Sequence, residues 1–210
     1  MKGILNCKPC DLHPELKARM FDGPLGKMIS HPLVHEIIYA PEMNALYNKQ
    51  FEVKSNAATV ALAAKDYARF IVFHEKPYRI DAFSSVQSEM DDATYWDILG
   101  DLWIESENIW QNLRAWKGYL RSKRAHREQF MSAEDRRVFD SFPATLDVYR
   151  GHQGRNAKGI SYTLSKEKAE WFANRFHKKD RAGQVKHRQI AKQDCFAYLD
   201  GRDEQEIIIL

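Results

Sequence analysis

The sequence predicts an α+β protein in which a helical region precedes a β-rich unit. As far as Pro143 the apolar residues recur at helical spacing, and beyond Pro143 short β-branched and aromatic runs alternate with turns. One more helix is predicted between two of these later strands, so the second part is not all β. We therefore expect a helical region over residues 1–143 and a compact core over residues 144–210.

Three segments predict the helices of the first region. One begins at a capping residue, 55 or 56, and stops at Pro77. A second, over residues 91–120, carries aromatic and aliphatic residues at helical spacing, which predicts a buried face. A third begins with Ser132 and Asp135 in the spacing of a capping box.

Four strands and one helix are predicted after Pro143. The strand candidates are rich in β-branched and aromatic residues; they are TLDVYRG, KGISYTL, GQVKHRQIA and EIIIL. The helix, SKEKAEWFANRFHKK, has Ser165 as its cap, Glu167 in its first turn, and an apolar face that includes Phe172 and Phe176.

Composition excludes some classes of protein. Hydrophobic residues make up 44% of the chain, yet no apolar run is long enough to cross a bilayer and the N-terminus lacks the layout of a secretion signal. With only three cysteines, a cytoplasmic protein without a membrane partner is expected. Cys7 and Cys10 form a CxxC without the further ligands of a zinc site, and the histidines are scattered, so no metal is expected.

One stretch, KGYLRSKRAHR from Lys117 to Arg127, carries five cations and no acid. Such a run is typical of a solvated helix end, where cations suit the C-terminal dipole. It also suits contact with phosphates. It keeps open an alternative function, a non-catalytic module that binds nucleic acid or protein.

The residues that suggest chemistry lie in the β-rich part. They are Arg150 in DVYRGHQ, Ser161 in GISYTLS, and the pair Glu204 and Glu206 in GRDEQEIIIL. Buried carboxylates are costly unless they are paired or used, so two acids before an apolar strand need partners. If both lie on a strand, their side chains share one face, about 7 Å apart along the backbone.

This set of motifs resembles the arginine–serine–glutamate class of mono-ADP-ribosyltransferases. The resemblance rests on VYRG, then ISYTLS followed by a helix of the AEWFA type, then a terminal ExE, and it covers residues 144–210. It implies a split β-sandwich that binds NAD and a helical region that covers the cleft or selects the target. It also implies transfer of ADP-ribose to a macromolecular acceptor, a protein or a nucleic acid.

The resemblance assigns roles residue by residue. The catalytic residues it implies are Glu206, Glu204 and Ser161. The NAD-binding residues it implies are Arg150, Gly151, Ser161, Thr163, Tyr162 and Phe172. In this assignment Arg150 holds the pyrophosphate through its planar guanidinium, and Glu206 binds the ribose 2′-OH and stabilises the positive charge that develops as nicotinamide leaves.

Glu204 matches the position that faces the acceptor, and a glutamate there is typical of members that modify arginine. By analogy, such an enzyme is a bacterial or phage effector, or the toxin of a toxin–antitoxin or phage-defence system with an antitoxin or inhibitor as partner. A structural alternative stays open, in which Arg150 simply pairs with Asp203 or Glu204 on a sheet surface.

Overall fold

The computed structural model describes residues 10–107, 109–154, 156–175 and 183–210. Two compact units divide the chain, Met1–Met90 and Asp91–Leu210. The boundary predicted from the sequence is at residue 143, whereas in the structure the helices after Met90 belong to the same unit as the C-terminal strands. Each unit contains helices and an antiparallel sheet, so the protein is α+β. Within the described ranges, no helix is long and apolar enough to span a membrane.

The first unit contains a three-stranded antiparallel sheet, so the prediction of a wholly helical region is wrong here. The strands pair in chain order; they are β1 (Met20–Gly23), β2 (Gly26–His31) and β3 (Val34–Glu36). Gly26, with φ of 117°, closes the first hairpin. Few of the strand residues are buried, Ile29 and Val34 among them. The alternation of polar and apolar residues that marks a half-buried strand is therefore too short to recognise in the sequence.

The described part of the first unit also contains four α-helices: α1 (Pro14–Lys17), α2 (Asn44–Ala63), α3 (Tyr67–Phe73) and α4 (Arg79–Val86). The helix predicted to end at Pro77 is therefore two helices. Lys65, with φ of 56°, separates them, and the Asp66 carboxylate accepts from the backbone N–H of Arg69 to cap α3. Val60 of α2 is 69% exposed, because α2 buries the side that carries Phe51.

We expect His74 to make the stability of the first unit depend on pH. Its ring is partly buried and its Nδ1 lies 2.9 Å from the carbonyl oxygen of Phe70. Burial lowers the pKa of His74 below its ordinary 6.5; the hydrogen bond to the Phe70 carbonyl opposes this shift, and the charges of Lys54 and Arg79 add to it. The unfolded chain therefore binds this proton more readily, so the free energy of unfolding falls as the pH drops through 6.5.

We expect the variant His74→Gln to lose less stability than the wild type between about pH 7.5 and about pH 5.5. Urea denaturation at both pH values measures this difference. An equal loss in the two proteins would show that His74 does not carry the effect.

The second unit begins with helices α5 (Asp92–Glu105), α6 (Leu113–Leu120) and α7 (Ala133–Ser141). The helix predicted over residues 91–120 is interrupted after Glu105, where Ser106 is extended and its hydroxyl donates to the Leu102 carbonyl. The cap predicted at Ser132 is confirmed, since its hydroxyl accepts from the Asp135 N–H and donates to the Asp135 carboxylate. The aromatic core predicted for these helices is also confirmed; its fully buried members include Tyr95, Trp103 and Trp116.

The C-terminal sheet has five antiparallel strands in the order β6-β4-β5-β8-β7. They are β4 (Thr145–His152), β5 (Ser161–Thr163), β6 (Gln184–Ala191), β7 (Cys195–Leu199) and β8 (Glu206–Ile209). Four of them match the predicted strands. The strand β7 was not predicted, because all five of its residues are buried and the polar–apolar alternation is therefore absent.

The two faces of this sheet carry different residues. One face, which we call the α7 face, includes Val148, Tyr162 and Ile207 and packs against Phe139 of α7. The opposite face, which we call the α8 face, is covered in part by α8 (Lys166–Asn174). The predicted cap of α8 is confirmed, since the Ser165 hydroxyl accepts from the Lys168 N–H. Phe176 lies outside the described residues.

Gly151 allows α8 to lie directly on β4. A Cβ atom at Gly151 would stand 2.0 Å from the Ala169 carbonyl oxygen and 2.5 Å from the Ala173 nitrogen. Because both are backbone atoms, the helix itself would have to move. We expect Gly151→Ala to lower the free energy of unfolding by about 1–3 kcal/mol in urea denaturation.

The matched control is Gly118→Ala in α6, where a Cβ atom meets nothing within 4 Å. This change should raise stability by about 0.5–1 kcal/mol, because alanine is the better helix former. A similar effect of both substitutions would contradict the packing argument.

Candidate active site

Glu206 is a buried carboxylate at the first position of β8, only 4% exposed. Its Oε2 accepts from the indole Nε1 of Trp103 at 2.9 Å and lies 3.4 Å from Nη2 of Arg202. One indole donor and one guanidinium therefore compensate the desolvation of the charge.

Glu204 lies before the strand, so the prediction of two strand carboxylates is corrected. Gln205 has φ of 47°, in the left-handed region, and β8 begins only at Glu206. The two carboxylates meet at Arg202 instead, whose Nη2 is 3.1 Å from Glu204 Oε2. Burial raises the pKa of Glu204, and the neighbouring Arg202 opposes that rise.

Ser161 and Thr163 share the α8 face with Glu206. Thr163 is directly opposite Glu206 in the β5–β8 pair, and Ser161 is two residues from Thr163. The Thr163 hydroxyl donates to the Glu204 carbonyl at 2.7 Å and accepts from the Ser165 N–H at 3.1 Å. The structure thus brings three of the predicted site residues together at the start of β8, namely Thr163, Glu204 and Glu206, and it places Ser161 on the same face opposite Ile208.

Arg150 is not in this group. By strand alternation its side chain is on the α7 face with Val148 and Tyr162, whereas Glu206 is on the opposite face. The Arg150 guanidinium is therefore not the partner of Glu206, and it contacts the backbone of Ser161 instead. The alternative pairing of Arg150 with Asp203 or Glu204 is not found either, since Arg202 and Lys168 pair with them.

The Arg150 guanidinium is held by backbone carbonyls. Its Nε and Nη2 donate to the Asn156 carbonyl at 3.1 and 2.9 Å, and Nη1 donates to the Ser161 carbonyl. Burial lowers the pKa of Arg150, while the charge of Glu206 acts in the opposite direction. The hydrogen-bond partners of this desolvated cation are backbone carbonyls, and an anion would stabilise it further.

The other predicted NAD-binding residues pack against parts of the protein itself. Tyr162 is 5% exposed in the core of the α7 face. Phe172 lies on α8 with its ring edge-on to Trp171, the centroids 5.0 Å apart. Gly151 is beneath α8, where its missing side chain serves packing.

Sequence reasoning missed two side chains of the site, Trp103 and Arg202. Trp103 reads as one more core aromatic, and nothing in its helical spacing marks a partner 103 residues away. Arg202 lies in the same GRDEQE stretch as the two acids, so its proximity to Glu204 was a usable signal. The Arg202 Nη1 also donates to the Ser106 carbonyl at 3.1 Å.

Part of the basic run at Lys117–Arg127 is used within the protein. Arg124 pairs with Asp92 at 3.1 Å, and its guanidinium lies 4.7 Å from the ring centre of Tyr95. The guanidinium of Arg127 lies 5.3 Å from the ring centre of Phe196. Two of the five cations thus stabilise this fold directly.

Among the described residues, no cluster of histidine, cysteine, aspartate or glutamate could hold a metal ion. Cys7 of the CxxC lies outside those residues, and Cys10 is an exposed free thiol. Comparison with protein-family models, with curated proteins and with solved structures gave no match.

Proposed function

We propose that the protein is a mono-ADP-ribosyltransferase that splits NAD at the nicotinamide–ribose bond and transfers ADP-ribose to a macromolecular acceptor. The observation that carries the proposal is the meeting of Glu204 and Glu206 on one guanidinium beside the serine and threonine of β5. This is a site built for a cation between two carboxylates. In the proposal, the five-stranded sheet with α8 is the transferase core.

Glu206 has the chemistry that bond cleavage requires. As nicotinamide leaves, the ribose acquires oxocarbenium character, and a carboxylate beside it stabilises the positive charge. Because Glu206 is buried, its charge acts in surroundings of low dielectric constant, where such stabilisation is stronger than in water. Trp103 holds one carboxylate oxygen and thereby orients the group.

Glu204 has the chemistry to serve the acceptor. Its carboxylate already binds a guanidinium at 3.1 Å, so it can hold an arginine side chain and take its proton. The proposed acceptor class is therefore protein arginine, with nucleic acid as the other outcome of the test.

In this proposal Arg150 binds the phosphates of NAD. The residue directly across from it on β6 is Lys186, and Arg188 follows on the same face of the sheet. This group of three cations suits a pyrophosphate. The proposal requires Arg150 to exchange its carbonyl partners for phosphate oxygens, which form stronger, charge-assisted bonds. It also requires NAD to pass around the strand ends, from the α7 face with Arg150 to the α8 face with Glu206.

The alternative, a binding module that uses the basic run, has less support. Arg124 and Arg127 already make intramolecular contacts, which leaves fewer cations of that run for phosphates. We further propose that the enzyme acts in the cytoplasm as a bacterial or phage effector, or as the toxin of a toxin–antitoxin or phage-defence system with an inhibitor as its partner. The sparse free cysteines suit a reducing compartment.

The test is incubation of the full chain with cell lysate and NAD labelled in its adenylate part, followed by protease or nuclease treatment of separate portions. We expect nicotinamide release and label that protease removes. Loss of label to nuclease instead would assign a nucleic-acid acceptor. Absence of both nicotinamide release and labelled product would overturn the proposed function.

A further inference from the structure

Arg202 occupies the place between the two glutamates. Its Nη2 lies 3.1 Å from Glu204 and 3.4 Å from Glu206, and its Nη1 binds the Ser106 carbonyl. The side chain is 31% exposed, so the guanidinium lies at the border between the buried carboxylate and solvent. An arginine of the protein itself is therefore bound where the proposed function places the acceptor.

The backbone around Arg202 is built to hold this position. Asp203 and Gln205 both have positive φ, 52° and 47°, a conformation that costs energy for residues other than glycine. Hydrogen bonds compensate for that cost: the Asp200 carbonyl and carboxylate accept from the N–H groups of Asp203 and Gln205, respectively. The loop thus keeps Arg202 turned toward Glu204 and Glu206.

We propose that Arg202 is itself an acceptor, so that the protein ADP-ribosylates its own chain at this residue. The inference rests on the proposed function and deepens it. Glu206, bound to the ribose 2′-OH, would place the adjacent ribose carbon next to the Nη2 atom that already lies 3.4 Å from its carboxylate. An acceptor held there in advance needs no encounter step.

The reaction balances without a further reagent. A guanidinium nitrogen of Arg202 forms a bond to the ribose carbon, and the bond from that carbon to nicotinamide breaks with its electron pair going to nicotinamide. The proton lost by the guanidinium passes to the Glu204 carboxylate and then to water. The products are ADP-ribosylated Arg202, nicotinamide and one proton.

Self-modification has a kinetic consequence. The attached ADP-ribose would fill the space between the glutamates and exclude a second acceptor. The rate at which the wild type transfers ADP-ribose to other acceptors should therefore decline during the reaction. The fraction of Arg202 modified per unit time should not depend on protein concentration, because the donor site and the acceptor belong to one chain.

The test is incubation of the purified full chain with NAD, followed by proteolysis and mass spectrometry of every arginine-containing peptide, with nicotinamide release measured in parallel. The internal control is Arg137, an exposed arginine that pairs with Glu134 at 2.6 Å on α7. We expect at least about tenfold more adduct at Arg202 than at Arg137, because only Arg202 is held beside the reacting carbon. Arg202→Lys should lose that adduct, and Arg137→Lys should keep it.

The outcomes separate the two proposals. Nicotinamide release with no adduct at Arg202, or with equal adduct at Arg137, would overturn self-modification and leave the transferase standing. No nicotinamide release from the purified chain would overturn self-modification alone, and the absence of release in lysate as well would overturn both proposals. The map of the wild-type chain decides the matter even if a variant does not fold.

Discussion

We expect Glu206→Gln to reduce nicotinamide release and ADP-ribose transfer by at least about 10²–10³-fold, the range found when a group that stabilises transition-state charge is removed. Glutamine has nearly the same shape, and its amide oxygen can still accept from Trp103. What it lacks is the negative charge that balances the developing positive charge on the ribose. The loss should therefore appear in kcat, measured as nicotinamide released from saturating NAD.

The control for this substitution is Glu134→Gln. Glu134 is exposed on α7 and pairs with Arg137, so Glu134→Gln removes the same charge from a solvent-exposed ion pair outside the site. We expect its activity to remain at the wild-type level and both variants to keep the circular dichroism spectrum of the wild type. Activity of Glu206→Gln within a few-fold of the wild type would remove Glu206 from the proposed chemistry.

The elements that could be predicted from the sequence are those whose structure depends on a few neighbouring residues. Ser132, Ser165 and the buried tryptophans are such cases, because a cap or a helical apolar face is complete within a few residues. The first sheet and β7 were missed for opposite reasons. The first sheet buries few of its residues, whereas β7 buries all of them, and neither produces the alternation that marks a half-buried strand.

The candidate site shows the same limit at longer range. Alternation correctly places Ser161 and Thr163 on one face, because both lie on the same short strand. It cannot relate Arg150 to Glu206, because a shift of one residue in strand register moves a side chain to the other face. The register that puts Tyr149 opposite Thr163 assigns Arg150 to the α7 face, and only the assembled sheet contains that information.

The second large effect is expected at Trp103, which connects α5 to the carboxylate. The variant Trp103→Phe keeps an aromatic ring against Trp116 but removes the indole N–H that donates to Glu206 at 2.9 Å. A buried carboxylate then loses a donor. We expect the free energy of unfolding to fall by about 1–3 kcal/mol from this lost bond to a charged group, in addition to the cost of the smaller ring. We also expect kcat to fall while KM for NAD changes little, since the residue orients Glu206 and does not contact NAD.

Trp96→Phe separates the hydrogen bond from the change in ring size. Trp96 is also fully buried, but its indole donates to the backbone carbonyl of Arg124 at a long 3.4 Å. Both substitutions remove similar apolar area, so the difference between them in urea denaturation reports what the carboxylate partner contributes. Trp103→Phe should be the more destabilising, and it alone should lower kcat. Equal losses of stability with unchanged kcat would mean that Trp103 only fills the core, and that Glu206 depends on Arg202 for its orientation.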